Sequence, residues 1–349
     1  MHVPDGFINA PVSAVTGAVA AGAIAVSLRG ARRELDEKTA PLAGLVAAFI
    51  FAVQMLNFPV AAGTSGHLLG GALAAILVGP YTGVLCVSVV LLMQGILFAD
   101  GGLTALGVNI TDMAIVTTVV SYALFRGLVK VLPRKRRSIT VAAFVSALLS
   151  VPAAAVAFTL IYAIGGTTDV AISKVATAMI GVHVLIGIGE AAITALTVGA
   201  VIAVRPDLVY GARGLQQRLK LRVNGELVDA PTAAVPVAAR SSHRKVWITG
   251  LVTSLVLAGF VSFYASASPD GLEKIAKDKG IDQKAEKHAT EDSPLAGYGV
   301  RDISDARISG GLAGVIGVGV TIVAGTGVFW AIRRRRTADT SPVSLPEGV

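Results

Sequence analysis

The chain has 349 residues, of which 54% are hydrophobic and 15% are charged, and its mean hydropathy is +0.71. A soluble domain of this length does not carry so many apolar residues, so the composition indicates a polytopic membrane protein. The formal charge of +8 does not indicate nucleic-acid binding, because the basic residues form short clusters between apolar runs, where they act as topology signals.

Apolar runs long enough to cross a hydrocarbon core of about 30 Å predict membrane helices. These runs cover residues 8–28, 41–60, 108–130, 141–164, 175–204, 246–266 and 309–332. The stretch 68–99 predicts two more helices, one short and one longer, because Gly79-Pro80-Tyr81-Thr82-Gly83 interrupts it. The predicted fold is therefore all-α, a polytopic transmembrane bundle of seven N-terminal and two C-terminal helices.

A polar segment with two prolines, 205–245, separates the two groups of helices. We interpret it as a basic cytoplasmic linker. The predicted domains are thus a seven-helix transmembrane domain at 1–204, the linker, and a two-helix module at 246–336 that carries an outward-facing segment, 268–308. A cytoplasmic tail at 337–349 follows.

Basic clusters predict the orientation in the membrane. They follow the first, fifth, seventh and ninth helices, at 29–38, 126–137, 205–245 and 333–336. The positive-inside rule places all four clusters in the cytoplasm. The N-terminus then faces outside together with His67, and the C-terminus is cytoplasmic. Because no basic region precedes the first apolar run, we expect no removable signal peptide.

Met1 and His2 form a compact chelator. The α-amine, the backbone nitrogen of His2 and its imidazole can close five- and six-membered rings on one divalent cation. His67 is the obvious fourth donor, and Ni(II) and Cu(II) favour such nitrogen-only tetragonal coordination, with Co(II) close behind. The turn Val3-Pro4-Asp5-Gly6 can fold the terminus towards the small-residue loop Gly63–Gly66. The alternative is a frayed terminus with a tolerated histidine.

Several polar residues can support this site or have only structural roles. Gln54, Asn57, Thr64 and Ser65 can donate or accept hydrogen bonds that orient the imidazoles.

Three further polar residues, Asp100, Asn109 and Asp112, cluster around the third outer loop. They either cap helices or shape a loop that closes over the metal. His183 and Glu190 share one helix face, where packing and hydrogen bonding compete with a metal or proton role. His288 is expected to be exposed.

Small residues on the first helix recur at four-residue spacing, at Ala14, Ala18 and Gly22. Such a stripe allows another helix to approach closely. The partner is either a helix of the same bundle or a separate membrane protein.

Four separated motifs resemble the substrate-capturing membrane subunit of the cobalt/nickel energy-coupling factor transporters. They are Met1 to Phe7, Asn57-Phe58-Pro59-Val60 leading to Gly63-Thr64-Ser65-Gly66-His67-Leu68, Asp100-Gly101-Gly102 followed by Leu106 to Asn109, and His183 through Gly187-Ile188-Gly189-Glu190-Ala191. The resemblance covers about residues 1–205. It implies uptake of Co²⁺ or Ni²⁺ as substrate across a bacterial or archaeal cytoplasmic membrane. It also implies that Met1, His2 and His67 hold the metal with high affinity.

The C-terminal module resembles the small two-helix accessory subunit of the same systems, through Pro269-Asp270-Gly271-Leu272-Glu273 and Ser293 to Tyr298. Its Pro-Asp-Gly turn repeats that of residues 4–6, which is a common turn signal. The implied partners are a transmembrane coupling subunit, which the stripe on the first helix can contact, two cytoplasmic ATPase subunits, and membrane lipid. Fusion of the accessory part ensures its high effective concentration.

Missing motifs argue against enzymatic activity. The sequence has no Gly-x-x-x-x-Gly-Lys-Ser/Thr run, so no ATP site of that kind is expected, and it has no His-Glu-x-x-His or Gly-x-Ser-x-Gly motif. We therefore expect a transporter subunit energised by partner ATPases. Two alternatives stay open: a self-sufficient channel or ion-coupled carrier with His183 and Glu190 as a relay, and a metal sensor. The sequence does not distinguish cobalt from nickel.

Overall fold

The computed structural model describes residues 1–35, 39–61, 63–215, 220–223, 226–229 and 243–338. Within these ranges the chain is mainly helical, with two short β-hairpins. The α-helices are α1 (Ala10–Glu34), α2 (Thr39–Gln54), α3 (Gly71–Val78), α4 (Pro80–Leu97), α5 (Leu106–Asn109), α6 (Thr117–Val131), α7 (Arg136–Gly165), α8 (Ile172–Val204), α9 (His243–Gly259), α10 (Gly271–Lys279) and α11 (Ala306–Ala338). A π-helical stretch, Ile110–Val116, joins α5 to α6.

Seven helical segments in the described ranges are long and apolar enough to cross a membrane, namely α1, α4, the continuous segment Leu106–Val131, α7, α8, Arg244–Tyr264 and Ala306–Arg334. Two further helices are shorter, since α2 has 16 residues and α3 has 8, and both are largely buried. The all-α polytopic fold is confirmed, with seven helical segments in the N-terminal part and two apolar helices in the C-terminal module. One expected span was too long, because the helix predicted over 41–60 ends at Gln54.

The predicted break inside 68–99 is the boundary between α3 and α4, where the last residue of α1 caps the start of α4. Gly79 has φ 102°, a conformation that L side chains rarely adopt, and Pro80 starts α4. The buried carboxylate of Glu34 accepts hydrogen bonds from the backbone N–H groups of Tyr81 (3.2 Å) and Thr82 (2.7 Å). These two donors have no partner within α4, so the end of α1 fixes the start of α4.

The region Gly63–Gly66, expected as a small-residue loop, is instead part of an antiparallel hairpin. Strand β1 (Phe58–Ala61) pairs with β2 (Thr64–Gly66). Strand β2 also has a second neighbour, since Ser65 forms a parallel bridge to Asp270 of the C-terminal module. The loop prediction was wrong because this distant partner supplies the hydrogen bonds that hold β2 extended.

The C-terminal module packs directly on the N-terminal helices, chiefly through α11 against α2. Glycines allow the close approach: a Cβ at Gly44 would lie 2.4 Å from Thr326 Oγ1, and one at Gly317 would lie 2.1 Å from Phe51 Cζ.

In the predicted linker, the described residues form 3₁₀ turns up to Leu215 and a hairpin of β3 (Lys220–Val223) and β4 (Glu226–Asp229). Its remainder, Lys38 and the tail 339–349 lie outside the described residues.

Candidate metal-binding site

The N-terminus is inserted into the protein. Met1 is 3% exposed and Val3 is fully buried. The backbone N–H of Val3 donates to Asn109 Oδ1 (2.7 Å), while the carbonyl of Val3 accepts from Asn109 Nδ2 (3.2 Å) and from the N–H of Gly102 (2.8 Å). A frayed terminus is therefore excluded, and Asn109 holds the terminus in place instead of capping a helix.

The turn after Val3 is anchored on both sides. Asp5 Oδ1 accepts from the backbone N–H (2.8 Å) and hydroxyl (2.5 Å) of Thr104. The carbonyl of Asp5 accepts from the N–H of Glu286 in the C-terminal module (2.9 Å), and Gly6 takes φ 86°. The predicted Pro-Asp-Gly turn thus directs Met1 and His2 into the bundle.

The three predicted metal donors lie together. The amine of Met1 is 2.8 Å from His67 Nε2, and the imidazoles of His2 and His67 stack with centroids 5.2 Å apart. His67 Nδ1 donates to the carbonyl of Leu68 (3.0 Å), which directs the lone pair of Nε2 towards Met1. This contact fixes the tautomer that can bind a metal through Nε2.

His2 is held by two polar side chains. Its Nδ1 lies 3.3 Å from Asp100 Oδ1, and its Nε2 lies 3.1 Å from Gln94 Oε1. Burial lowers the pKa of His2 to about 4, and the nearby N-terminus and His67 act in the same direction, while Asp100 opposes them. The imidazole is therefore neutral near pH 7, as a metal ligand must be.

Asp270 is the functional candidate that sequence reasoning missed. Its Oδ2 lies 2.8 Å from the amine of Met1 and 3.8 Å from His67 Nε2. His2, His67 and Asp270 each offer a ligand atom, and these atoms all lie within 4.8 Å of one another. Burial raises the pKa of Asp270, but the positive N-terminus and His67 outweigh it and hold that pKa well below its usual range. The sequence signal was the repeated Pro-Asp-Gly turn, which by itself indicates only local structure.

The predicted supporting residues act mainly on the backbone. Glu190, fully buried on α8, accepts from the N–H groups of Leu69 (2.5 Å) and Gly70 (3.0 Å), and Gln54 Nε2 donates to the carbonyl of Leu69 (2.9 Å). Both side chains therefore fix the segment that follows His67. In the described part of the chain, Gln54 Nε2 bonds this backbone and no imidazole, and Gln54 Oε1 has no partner, so its support of the rings stays a prediction.

Three expected supporting residues, Asn57, Thr64 and Ser65, lie in or next to the β1–β2 hairpin. The Ser65 hydroxyl donates to the carbonyl of Ser268 (2.7 Å), and Thr64 is buried within β2. Asn57 lines a cavity beside His2, and its side-chain Oδ1 has no partner in the described part of the chain. The hairpin thus attaches the C-terminal module through Ser65, and none of the hydrogen bonds seen among the described residues joins Asn57, Thr64 or Ser65 to an imidazole ring.

The other two acidic candidates have different positions: Asp100 faces the site, whereas Asp112 is buried within a helix. Asp100 accepts from Tyr298 Oη (2.6 Å) as well as facing His2, so it links the site to the C-terminal module. Asp112 lies in the π-helical stretch, and among the described residues its buried carboxylate has no hydrogen-bond partner.

His183 is fully buried, and its Nδ1 bonds the carbonyl of Met179 (2.7 Å), while Glu190 bonds elsewhere; the two do not pair. His288 was expected to be exposed. It is instead half-buried, because its Nε2 donates to the carbonyl of Gly101 (3.1 Å).

A cavity of about 700 Å³ lies against the cluster. Residues of the N-terminal part and of the C-terminal module line it together, including His2, His67, Asp100, Asp270 and Glu273. Three carboxylates thus share a cavity with two imidazoles, an environment suited to a cation.

On α1, Ala14, Ala18 and Gly22 lie on an exposed face, and a Cβ at Gly22 would meet no atom within 4 Å. The stripe is therefore not packed against another described helix of this chain.

Two protein families match the chain. Residues 2–208 match the cobalt uptake substrate-specific transmembrane region, and residues 244–334 match the PDGLE domain. A putative metal transport protein of Haloquadratum walsbyi is 40% identical over 210 residues, which is 60% of this chain and 94% of that protein. A putative fused nickel transport protein of Archaeoglobus fulgidus is 37% identical over 209 residues, 60% of this chain and 68% of the relative.

A solved structure is also similar. The crystal structure of a truncated transition metal transporter aligns with a TM-score of 0.51 and 28% sequence identity. The alignment covers 58% of this chain and 99% of that one.

Proposed function

The chain belongs to the cobalt uptake substrate-specific transmembrane family and carries a PDGLE domain, and from this premise we propose that it captures Co²⁺ or Ni²⁺ with the nitrogens of Met1, His2 and His67. The observation that carries the proposal is the contact between the buried amine of Met1 and His67 Nε2 (2.8 Å), with the imidazole of His2 stacked beside it. Cobalt/nickel transport by a multi-pass membrane protein is the general function of this family.

The chemistry of the donors suits these cations. The amine of Met1, the backbone nitrogen and Nδ1 of His2, and Nε2 of His67 would supply four nitrogens. Such a set favours late first-row metals over Ca²⁺ and Mg²⁺, which prefer oxygen ligands. The backbone N–H groups of Val3 and Leu69 donate to Asn109 and Glu190, and Gln54 donates to the carbonyl of Leu69. These hydrogen bonds hold the flanking backbone in place before the metal arrives, and such preorganisation favours tight binding.

We further propose that the chain works as the substrate-specific component of an energy-coupling factor transporter in a bacterial or archaeal cytoplasmic membrane. A transmembrane coupling subunit would contact the exposed stripe of α1, and two cytoplasmic ATPases would supply the energy. The N-terminus would face outside and the C-terminus the cytoplasm, in agreement with the basic clusters. Glu190 gives little support to a self-sufficient carrier, because its carboxylate is engaged by the backbone of Leu69 and Gly70.

Calorimetric titration of the purified chain with Co²⁺ and Ni²⁺ tests the site. The parent requires a native Met1, and the variants are His2→Ala, His67→Ala and a chain with one residue inserted after Met1. We expect each variant to lose tight binding, because each removes or displaces a nitrogen donor. Tight binding by the insertion variant would contradict the N-terminal chelate.

Reconstitution in liposomes tests the assembly. We expect metal uptake only when the coupling subunit and the ATPases are present with ATP. Uptake by this chain alone would instead identify a self-sufficient carrier.

A further inference from the structure

Asp270 contributes the one carboxylate of the three-residue ligand cluster, and it comes from the C-terminal module. Its two oxygens have different roles. Oδ1 accepts from the backbone N–H of Glu273 (2.7 Å) and caps α10, whereas Oδ2 faces the amine of Met1 and His67. The side chain is 16% exposed, towards the cavity that also reaches His2. Asp270 therefore faces the same cavity as the two imidazoles and lies against the amine of Met1.

Backbone contacts fix Asp270 in this position. Ser65, two residues before His67, donates its N–H to the carbonyl of Pro269 (2.9 Å) and its hydroxyl to that of Ser268 (2.7 Å). On the other side, a Cβ at Gly271 would lie 2.9 Å from Val182 and 3.3 Å from His183, so α8 packs closely against the turn. The carboxylate is thus held by rigid elements, as a preorganised ligand requires.

The negative charge of Asp270 can compensate a buried cation. The nitrogen donors of Met1, His2 and His67 do not neutralise a dication by themselves, and the site is largely buried. A buried charge is costly unless a partner compensates it. Without metal, Asp270 pairs with the ammonium of Met1. A cation that replaced the proton on the amine of Met1 would be within reach of the same oxygen, which lies 2.8 Å from that amine.

We propose that Asp270 is a metal ligand supplied by the C-terminal module, and this inference rests on the proposed capture of Co²⁺ or Ni²⁺ at Met1, His2 and His67. The entering cation meets the carboxylate oxygen at the wall of the cavity, exchanges water for it, and passes onto the nitrogens while Oδ2 stays bound. The amine of Met1 and the backbone amide of His2 each release a proton to water as they bind the metal. The C-terminal module thereby completes the coordination sphere and accelerates loading.

Asp270→Asn is the informative variant, because Asn caps a helix as well as Asp does and retains the size of the side chain. The change therefore removes the charge and the strong oxygen donor while α10 keeps its cap. Asp278→Asn is the matched control. It makes the same change on the same helix, where Asp278 is exposed and pairs with Lys274.

The experiment adds Co²⁺ alone to the full chain with a native Met1 and follows the visible absorption of bound Co²⁺ by stopped flow. We expect Asp270→Asn to shift the absorption bands and to slow association about ten- to a hundredfold, the usual range for residues that tune a metal site. Asp278→Asn is expected to match the parent. Thermal unfolding of the metal-free variants checks that Asp270→Asn is folded.

Two results separate the possible failures. If a folded Asp270→Asn variant has the same spectrum and association rate as the parent, while His67→Ala loses binding, Asp270 is not a ligand and the nitrogen site stands. If the parent binds no Co²⁺, or His67→Ala binds as the parent does, the proposed capture site itself is refuted.

Discussion

At the scale of single residues, the site depends on side chains that do not face the metal donors. Asn109 uses both ends of its amide, accepting from the N–H of Val3 and donating to its carbonyl. A side-chain amide is uncharged and carries a donor and an acceptor side by side in one plane, so it can bond both polar groups of one backbone residue. Asn109 thus bonds both backbone groups of Val3, as a neighbouring β-strand would, and holds the chain two residues after Met1.

Replacing Asn109 with Leu leaves the buried N–H of Val3 without a partner, which costs about 1–3 kcal/mol. We expect the terminus to detach and the affinity for Co²⁺ to fall about ten- to a hundredfold. Calorimetry measures this loss. Thr111→Val is the control, because the hydroxyl of Thr111 bonds only to Gly107 within its own helix segment. Unchanged affinity in Asn109→Leu would mean that other contacts suffice to hold the terminus.

The predictable part of the site follows from local chemistry. Met1 and His2 are adjacent, so their chelating geometry can be inferred from covalent structure alone, and His67 followed from its side of the membrane. Asp270 could not be predicted in the same way. It lies 269 residues from Met1 in sequence, and no periodicity relates two contacts so far apart. Its Pro-Asp-Gly motif indicated only a turn, and neither the cap of α10 nor the second oxygen that faces Met1 was predicted.

At the scale of elements, interruptions of helices position the site. The boundary between α3 and α4 is set by Gly79 and by the cap from Glu34, and the sequence indicated it through Gly-Pro punctuation. The end of α2 was also indicated, because Pro59 disfavours helix in the residue before it. The length of the apolar run obscured that signal. The hairpin of β1 and β2 then depends on the distant backbone of 268–270, which no local pattern indicates.

Gly79→Ala is expected to destabilise the chain. A Cβ there would lie 2.5 Å from Glu34 Cδ, and φ 102° strains any L side chain. Such strain costs about 1–3 kcal/mol. Thermal unfolding in detergent provides the measurement, with Gly181→Ala as the control, because a Cβ at Gly181 meets nothing within 4 Å. Equal unfolding temperatures for the two variants would show that Glu34 can move without loss.

Ala18→Trp tests the exposed stripe of α1. The large ring would prevent a second helix from approaching, so we expect the variant to lose co-purification with the coupling subunit and to retain Co²⁺ binding. Leu196→Trp on α8 is the control, since Leu196 is 74% exposed on another helix. If Ala18→Trp retains the coupling subunit, docking uses a different face.

At the scale of the whole molecule, the two parts that the sequence presents as separable form one bundle. Helix α11 packs along α2, and the cavity beside the cluster is lined by both parts. The apolar runs, with the break at Gly79-Pro80, predicted the seven apolar helical segments of the N-terminal part and the two of the C-terminal module. They did not predict this packing, because small residues such as Gly44 and Gly317 indicate that a helix approaches closely but not which helix it is.

Two glycines of α11 allow this packing to be tested. A Cβ at Gly317 would lie 2.1 Å from Phe51, whose ring is fully buried, whereas one at Gly319 would meet nothing within 4 Å. We expect Gly317→Leu to lower the unfolding temperature and to slow Co²⁺ loading by displacing α11, and Gly319→Leu to change neither. A reversed order of the two variants would contradict the position of α11 on α2.

The contact between Met1 and Asp270 also has a consequence for biosynthesis. The amine leaves the ribosome first, and its partner follows 269 residues later. At about 5–20 residues per second, this delay is on the order of tens of seconds. Within that interval the helices up to α8 are synthesised, but the ammonium still has no carboxylate from residue 270. The cluster is therefore assembled late in synthesis, and a nascent chain that lacks its C-terminal module holds only part of it.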